Sequence, residues 1–182
     1  FSKRVTRAVP YGGPIEAHTD LVKKLDYECE LAVVLGKDAR NVPAGQTRDY
    51  IFGYTILNDV SARDVQTAHK QWYFGKSLDG FTPIGPCIVT ADAFADYPPR
   101  LGIRSFVNGE KRQDSNTALQ IFDIDHVIAE LSQGMTLKAG TIIATGTPAG
   151  VGMGMDPPQF LKPGDVVRCE IEGIGTLTNP VK

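Results

Sequence analysis

The sequence predicts a β-rich mixed α+β fold with a few short helices, from three observations. The 19 glycines and 12 prolines are spread along the chain and break it into many short apolar runs, which suits strands and turns better than long helices. Asn108-Gly109 separates residues 103–107 from residues 110–113, and Asn-Gly fits the type I′ turn of a hairpin. Val167, Cys169 and Ile171 alternate with Arg168, Glu170 and Glu172, the period of a half-buried strand with a wet polar face.

Taken in order, Tyr27-Glu28-Cys29-Glu30-Leu31-Ala32-Val33-Val34-Leu35 and Tyr54-Thr55-Ile56-Leu57-Asn58-Asp59 predict two buried strands. A helix is expected from near Ser61 to about Lys70, with Ser61-Ala62-Arg63-Asp64 as a capping-box-like start. The hairpin follows. Ile124, Val127, Ile128 and Leu131 then sit at i, i+3, i+4 and i+7, which predicts a helix with Asp123 as N-cap and Gly134 as its stop. His126 lies among these positions as a rim residue. Gly164-Asp165 opens the next strand, and Gly173-Ile174-Gly175 turns the chain into a last one.

Residues 1–182 are expected to form a single domain, large enough for a sizeable core. No repeat or low-complexity tract interrupts it. The net charge is −2 and no basic run exceeds a pair, so nothing points to nucleic acid. No apolar stretch approaches the roughly 20 residues of a membrane span. Cys29, Cys87 and Cys169 are odd in number and form no Cys-x-x-Cys pair, which argues against a disulfide framework and fits a reducing cytoplasm. Cys29 and Cys169 alternate with aliphatic residues and read as small core side chains. The chain starts at Phe1 rather than methionine, so a missing signal peptide says nothing of residence.

Chemistry concentrates in three carboxylates. Glu28 and Glu30 are two apart on a strand and project together, and Ala32 and Val34 continue their face as apolar residues. Such a pair is costly unless a cation offsets the repulsion. With Asp59 ending the next strand, a divalent ion is the economical explanation, and three hard oxygen donors suit magnesium, manganese or calcium. The competing interpretation is a solvated face paired with lysines. Arg63 and Gln66 follow Asp59 at i+4 and i+7 and can share one side of the strand-to-helix junction; alternatively Arg63 makes an exposed salt bridge to Asp59 or Asp64. Gly75-Lys76-Ser77 is no P-loop, because residue 70 is lysine where that motif needs glycine. Lys76 sits among aromatics and glycine, where it can be desolvated and aimed at an anion. Thr145-Gly146-Thr147-Pro148 follows an apolar run and can offer hydroxyl and backbone N–H groups to a carboxylate, or it is simply a tight turn.

In order, the segments around Glu28 and Glu30, Asn58-Asp59-Val60-Ser61-Ala62-Arg63-Asp64-Val65-Gln66, Gly75-Lys76-Ser77 and Thr145-Gly146-Thr147-Pro148 resemble the fumarylacetoacetate hydrolase family. Phe1-Ser2-Lys3-Arg4 also resembles the family's Phe-x-Lys-Pro segment, with Arg4 where proline is usual. The resemblance implies a mixed β-roll, usually a homodimer, with a divalent ion, commonly magnesium, on Glu28, Glu30 and Asp59. It implies a substrate pocket that includes Arg63, Gln66, Lys76 and Thr147, with Gly146 beside it. Relatives often place a His and a Glu on a lid helix upstream of the Phe-x-Lys segment. His18 lies in a linker and does not inherit that role, so no general base is assigned. The expected activity is metal-dependent C–C cleavage of a 2-oxo acid, by acylpyruvate hydrolysis or oxaloacetate-type decarboxylation. The alternatives are isomerisation of an unsaturated diacid of hydroxyheptadienedioate type and a catalytically silent metal-binding protein.

Overall fold

The computed structural model describes residues 1–68 and 70–182. Two four-stranded antiparallel sheets enclose the core. The first has the order β5-β3-β2-β8, built from β2 (Cys29–Leu35), β3 (Ile51–Asn58), β5 (Ile84–Thr90) and β8 (Ile142–Ala144). The second has the order β10-β9-β6-β7, from β6 (Gly102–Val107), β7 (Glu110–Asn116), β9 (Val166–Ile171) and β10 (Gly175–Pro180). A two-stranded ribbon joins β1 (Leu25–Asp26) to β4 (Ser61–Ala62). The helices are short: α1 (Arg63–Ala68), α2 (Tyr73–Lys76) and α3 (Ile124–Leu131).

Strand β2 is buried along its whole length because β3 and β8 flank it on both sides. Its odd residues, Cys29, Leu31, Val33 and Leu35, enter the core with Tyr54 and Ile56 of β3 and Val167, Cys169 and Ile171 of β9. Its even residues, starting with Glu30, face the other way. Pairing of Cys29 with Asn58 sets the start of β2 beside the end of β3, so Asp59 emerges next to Glu28.

The expected hairpin forms. Asn108 and Gly109 both have positive φ, 53° and 85°, as a type I′ turn requires. Helix α3 also has the expected start, since Asp123 Oδ1 accepts from the His126 N–H at 2.8 Å. Ile124 and Ile128 are buried and Gly134 has φ 70°. Cys29 and Cys169 are core residues with 0% and 1% exposure.

The second helix departs from expectation. Ser61 and Ala62 are strand residues paired with Asp26 and Leu25, and the helix begins only at Arg63. Ser61 Oγ donates back to the Asp59 carbonyl at 2.8 Å instead of capping a helix. Asp64 accepts from the Lys23 N–H at 2.8 Å. The described helix ends at Ala68; residue 69 of the expected span lies outside the described residues, and Lys70 has φ 57°.

Helix α2 lies directly on α1. A Cβ at Gly75 would stand 2.5 Å from the Gln66 backbone nitrogen, closer than any real contact, so only glycine lets Lys76 come this far in. We expect Gly75→Ala to cost about 1–3 kcal/mol by overpacking and to displace Lys76. A lowered melting temperature is the expected readout; an unaltered protein would contradict the close approach.

Candidate functional site

Glu28, Glu30 and Asp59 come together, with one oxygen from each within 4.8 Å of the others and all three residues buried. The backbone holds them in place. The Asp59 N–H donates to the Glu28 carbonyl at 2.8 Å, and the Asn58 side chain accepts from the Glu28 N–H at 3.0 Å.

Three cations surround the carboxylates. Lys76, 1% exposed, puts Nζ 2.7 Å from both Glu28 Oε2 and Asp59 Oδ2. Lys3 Nζ lies 2.6 Å from Asp59 Oδ1. Burial pulls the Lys3 ammonium below its ordinary range, against the attraction of Asp59. Arg63 Nη1 lies 2.6 Å from Glu28 Oε1, and its Nε donates to Asp26 Oδ2 at 2.9 Å. Burial opposes the guanidinium charge, but Glu28 and Asp26 outweigh it and hold Arg63 above its usual value. Gln66 accepts from Arg63 Nη1 at 3.1 Å.

Glu30 differs from its neighbours. Its Oε2 accepts the Gly146 N–H at 2.8 Å, but no lysine or arginine pairs with it among the described residues. Burial, then Asp59 and Glu28, push its carboxyl up to about 8. The cluster therefore sets four carboxylates (Asp26, Glu28, Glu30, Asp59) against three cations (Lys3, Arg63, Lys76). One negative charge is in excess, and without metal a proton on Glu30 relieves it. A hard divalent cation fits this donor set. With it bound, the sign of the excess would reverse to one positive charge.

Asp26 fastens this cluster to a distant loop. It is 0% exposed and accepts from Gly152 N at 2.7 Å and Met153 N at 3.0 Å as well as from Arg63. A Cβ at Gly152 would stand 2.0 Å from the Gln159 carbonyl oxygen and 2.8 Å from Asp26, so that loop is glycine by necessity. Gly146, at φ 97°, is the turn that aims its N–H at Glu30.

The geometry revises several sequence expectations. Arg63 is 7% exposed and pairs with Asp26 and Glu28; the exposed bridge to Asp59 or Asp64 is absent. The i+4 and i+7 relation of Arg63 and Gln66 to Asp59 does not apply, because β4 intervenes. The lysine pairing proposed for a solvated face does occur, but in a buried cluster. The Thr147 hydroxyl is committed within the protein: it donates to the Cys29 carbonyl at 2.8 Å and accepts from Gln113 Nε2 at 2.8 Å. What the segment offers a carboxylate is the Gly146 N–H.

Three residues were not foreseen as part of the site. Lys3 lies in a polar segment with no periodic signal, and only the family resemblance marked it. Asp26 lies two residues before Glu28, but apart from the adjacent Tyr27 N–H its partners are more than 30 positions away. Gln113, 0% exposed, accepts from Cys29 N at 3.1 Å and donates to Thr147 and to Pro148; its strand is otherwise polar and gives no sign of an inward glutamine. His18 bonds the Asp79 carbonyl at 2.8 Å, and His126 stacks on Phe122 with ring centres 4.7 Å apart; neither joins the carboxylates.

An antiparallel roll with two glutamates at the start of a central strand, an aspartate and a buried lysine is the architecture of a known enzyme class. Residues 1–182 match the fumarylacetoacetate (FAA) hydrolase C-terminal family model, and the chain belongs to the fumarylacetoacetate hydrolase family. It is 46% identical over 181 residues to the oxaloacetate tautomerase YisK of Bacillus subtilis, covering 100% of this chain and 60% of that protein. Among solved structures it is similar to a fumarylacetoacetate hydrolase from the psychrophile Exiguobacterium antarcticum, with TM-score 0.97 and 50% identity over 100% of this chain and 65% of that one. It is also similar to 2-hydroxyhepta-2,4-diene-1,7-dioate isomerase from Mycobacterium marinum, with TM-score 0.88 and 43% identity over 100% of this chain and 67% of that one. The chain spans about 60% of the length of the curated relatives it matches. No helix among the described residues is long and apolar enough to cross a membrane.

Two outcomes are expected here. In metal-free protein the folded chain keeps the Glu30 proton where the unfolded chain, near 4.5, has lost it. That stability is fully present below about 4.5 and is lost as pH rises through about 8. Thermal melts in chelator across this window should show a falling melting temperature, and Glu30→Gln should flatten the slope. Asp26→Asn should cost about 3 kcal/mol or more, because it breaks a buried ion pair by one partner. Denaturant unfolding tests it; a loss within the range of surface substitutions would show that Arg63 needs no such anchor.

Proposed function

We propose that the chain is a divalent-metal-dependent enzyme that cleaves a C–C bond of a 2-oxo acid so that the electron pair of the broken bond is left as an enolate. Either water attacks the distal carbonyl, as in acylpyruvate hydrolysis, or carbon dioxide leaves, as in oxaloacetate-type decarboxylation. The buried Glu28–Glu30–Asp59 cluster supports this most strongly, because its excess charge turns positive with a divalent ion and so complements an anionic substrate. Magnesium is the metal of choice, with manganese or calcium as substitutes. Bound at these carboxylates, the ion supplies Lewis-acid polarisation of the 2-oxo group.

The chain's own groups do the remaining work. Lys76 is fixed by two carboxylates at 2.7 Å and is placed to hydrogen-bond oxygen as negative charge develops there. Arg63, immobilised through Nε and Nη1, would meet the substrate carboxylate with Nη2, and Gln66 holds that orientation. The Phe1 ring lies 5.3 Å from Lys76 Nζ and 5.5 Å from the Trp72 ring, which shields the lysine from water on that side. Gly146 and Thr147 form the opposite wall. The resemblance also supports a homodimer, testable by light scattering, and the free cysteines are compatible with a reducing cytoplasm.

A second reading keeps the enolate but returns the proton to a different atom, giving tautomerisation or isomerisation. The names of the oxaloacetate tautomerase and the heptadienedioate isomerase among the relatives favour it. One assay separates the readings. Metal-stripped protein is given oxaloacetate and acetylpyruvate, with and without magnesium, and pyruvate and the keto–enol ratio are followed. Metal-dependent pyruvate supports cleavage; faster keto–enol exchange without pyruvate supports the second reading. Glu30→Gln should lower either activity about a hundredfold or more, since even weaker perturbations of a metal shell cost 10–100-fold. Full activity in that variant, or activity indifferent to chelator, would sink both.

A further inference from the structure

The ladder of the first sheet breaks beside Glu30. Strands β2 and β8 pair from Val34 and Ile142 to Ala32 and Ala144. The Thr145 N–H adds one more bond, to the Leu31 carbonyl at 3.2 Å. The same register would set Gly146 opposite Glu30 and Thr147 opposite Cys29. Instead Gly146, at φ 97°, leaves the ladder and turns its N–H onto Glu30 Oε2 at 2.8 Å. That departure deprives Cys29, with 0% exposure, of a strand partner for its N–H and carbonyl, and buried backbone groups left unpaired are costly.

Side chains replace the missing strand. The Cys29 N–H donates to Gln113 Oε1 at 3.1 Å, and the Cys29 carbonyl accepts from Thr147 Oγ1 at 2.8 Å. Gln113 Nε2 donates in turn to Thr147 Oγ1 and to the Pro148 carbonyl, both at 2.8 Å. Cys29, Gln113 and Thr147 thus close a ring of hydrogen bonds directly behind Glu30. The ring needs a carbonyl acceptor and two N–H donors in one side chain, which only an amide supplies. Gln113 reaches it from β7, in the other sheet, and is itself 0% exposed.

Resting on the metal-dependent reading above, we infer that Gln113 is a positioning residue for Glu30: it fixes residues 147 and 148 so that the Gly146 N–H stays on Glu30 Oε2 and orients that carboxylate for a divalent ion. Hydrogen bonds that orient a ligating carboxylate contribute to the affinity of the metal it holds.

Gln113→Met keeps the length of the side chain and removes both halves of the amide. Two readings are taken well below its melting temperature: manganese affinity by calorimetry, and hydrogen exchange of the Gly146 amide in metal-free protein. Affinity should fall about tenfold, the lower end for groups that orient a metal ligand. The Gly146 amide should exchange faster, while Val33 and Ile143, paired in the intact ladder, keep their protection. Ser105→Ala is the control. Ser105 lies opposite Gln113, is 0% exposed, and its Oγ has no hydrogen-bond partner among the described residues, so this variant disturbs the same core layer and should leave both readings unchanged. Thr147→Val cuts the ring on its other side and should repeat the effect, even where Gln113→Met does not fold; Thr147→Ser, which keeps the hydroxyl, should restore the parent behaviour. Unchanged manganese affinity in folded Gln113→Met overturns the role of Gln113 and leaves the metal reading standing. Weaker affinity with Gly146 protection intact, or an equal loss in Ser105→Ala, does the same. Parent protein that binds no manganese overturns the metal reading and this role with it.

Discussion

Burying several charges in one place is the constraint on which the rest of this structure depends. Strand β2 and the residue just before it carry Glu30 and Glu28 out of water, and ions of that size are costly to desolvate unless each is met by an opposite charge and by hydrogen bonds. The matching cations come from separate parts of the chain: Lys3 from the N-terminal segment, Arg63 from α1 and Lys76 from α2. Asp26 ties the same cluster to the loop at Gly152. Electrostatic matching thus dictates where four otherwise irregular segments settle, and the sheets supply the frame. Helices α1 and α2 contribute little as helices; their value lies in delivering Arg63, Gln66 and Lys76 to one point.

Much of this was legible in the sequence wherever a local rule governed. Period-two alternation gave the core face of β2 and put Glu28 and Glu30 together. Asn108-Gly109 and Asp123 act within a few residues, and both the hairpin and α3 form as expected. The illegible parts are set by non-local partners. Ser61-Ala62 reads as a helix start by its neighbours, yet the pairing that makes it a strand comes from Leu25 and Asp26. The Thr147 hydroxyl looked free because its true partners, Cys29 and Gln113, are far away in sequence. Arg63 misled for the same reason: the nearby acids Asp59 and Asp64 were the natural candidates, and burial chose Asp26 and Glu28 instead.

The glycines of the site show how backbone shape and charge placement are joined. Gly75 allows α2 to touch α1 so that Lys76 reaches the carboxylates, Gly146 turns its N–H toward Glu30, and Gly152 admits both Gln159 and Asp26 where no side chain fits. A larger residue at Gly75 or Gly152 would displace the charged cluster without being part of it. Membership of the family explains why such residues occur together, but their physical necessity is visible in this one chain.

Cys29 lies between the two glutamates, with its side chain in the core and its backbone held by Gln113 and Thr147. Central strands of this kind open only with the whole domain. The backbone under the carboxylates therefore cannot fray to let an ion escape while the core stays shut. A cation bound there would have to exchange by side-chain swings, on the timescale of rotamers and short loops. Were an ion held there, its residence and the lifetime of the fold would be decoupled in rate although they share a strand.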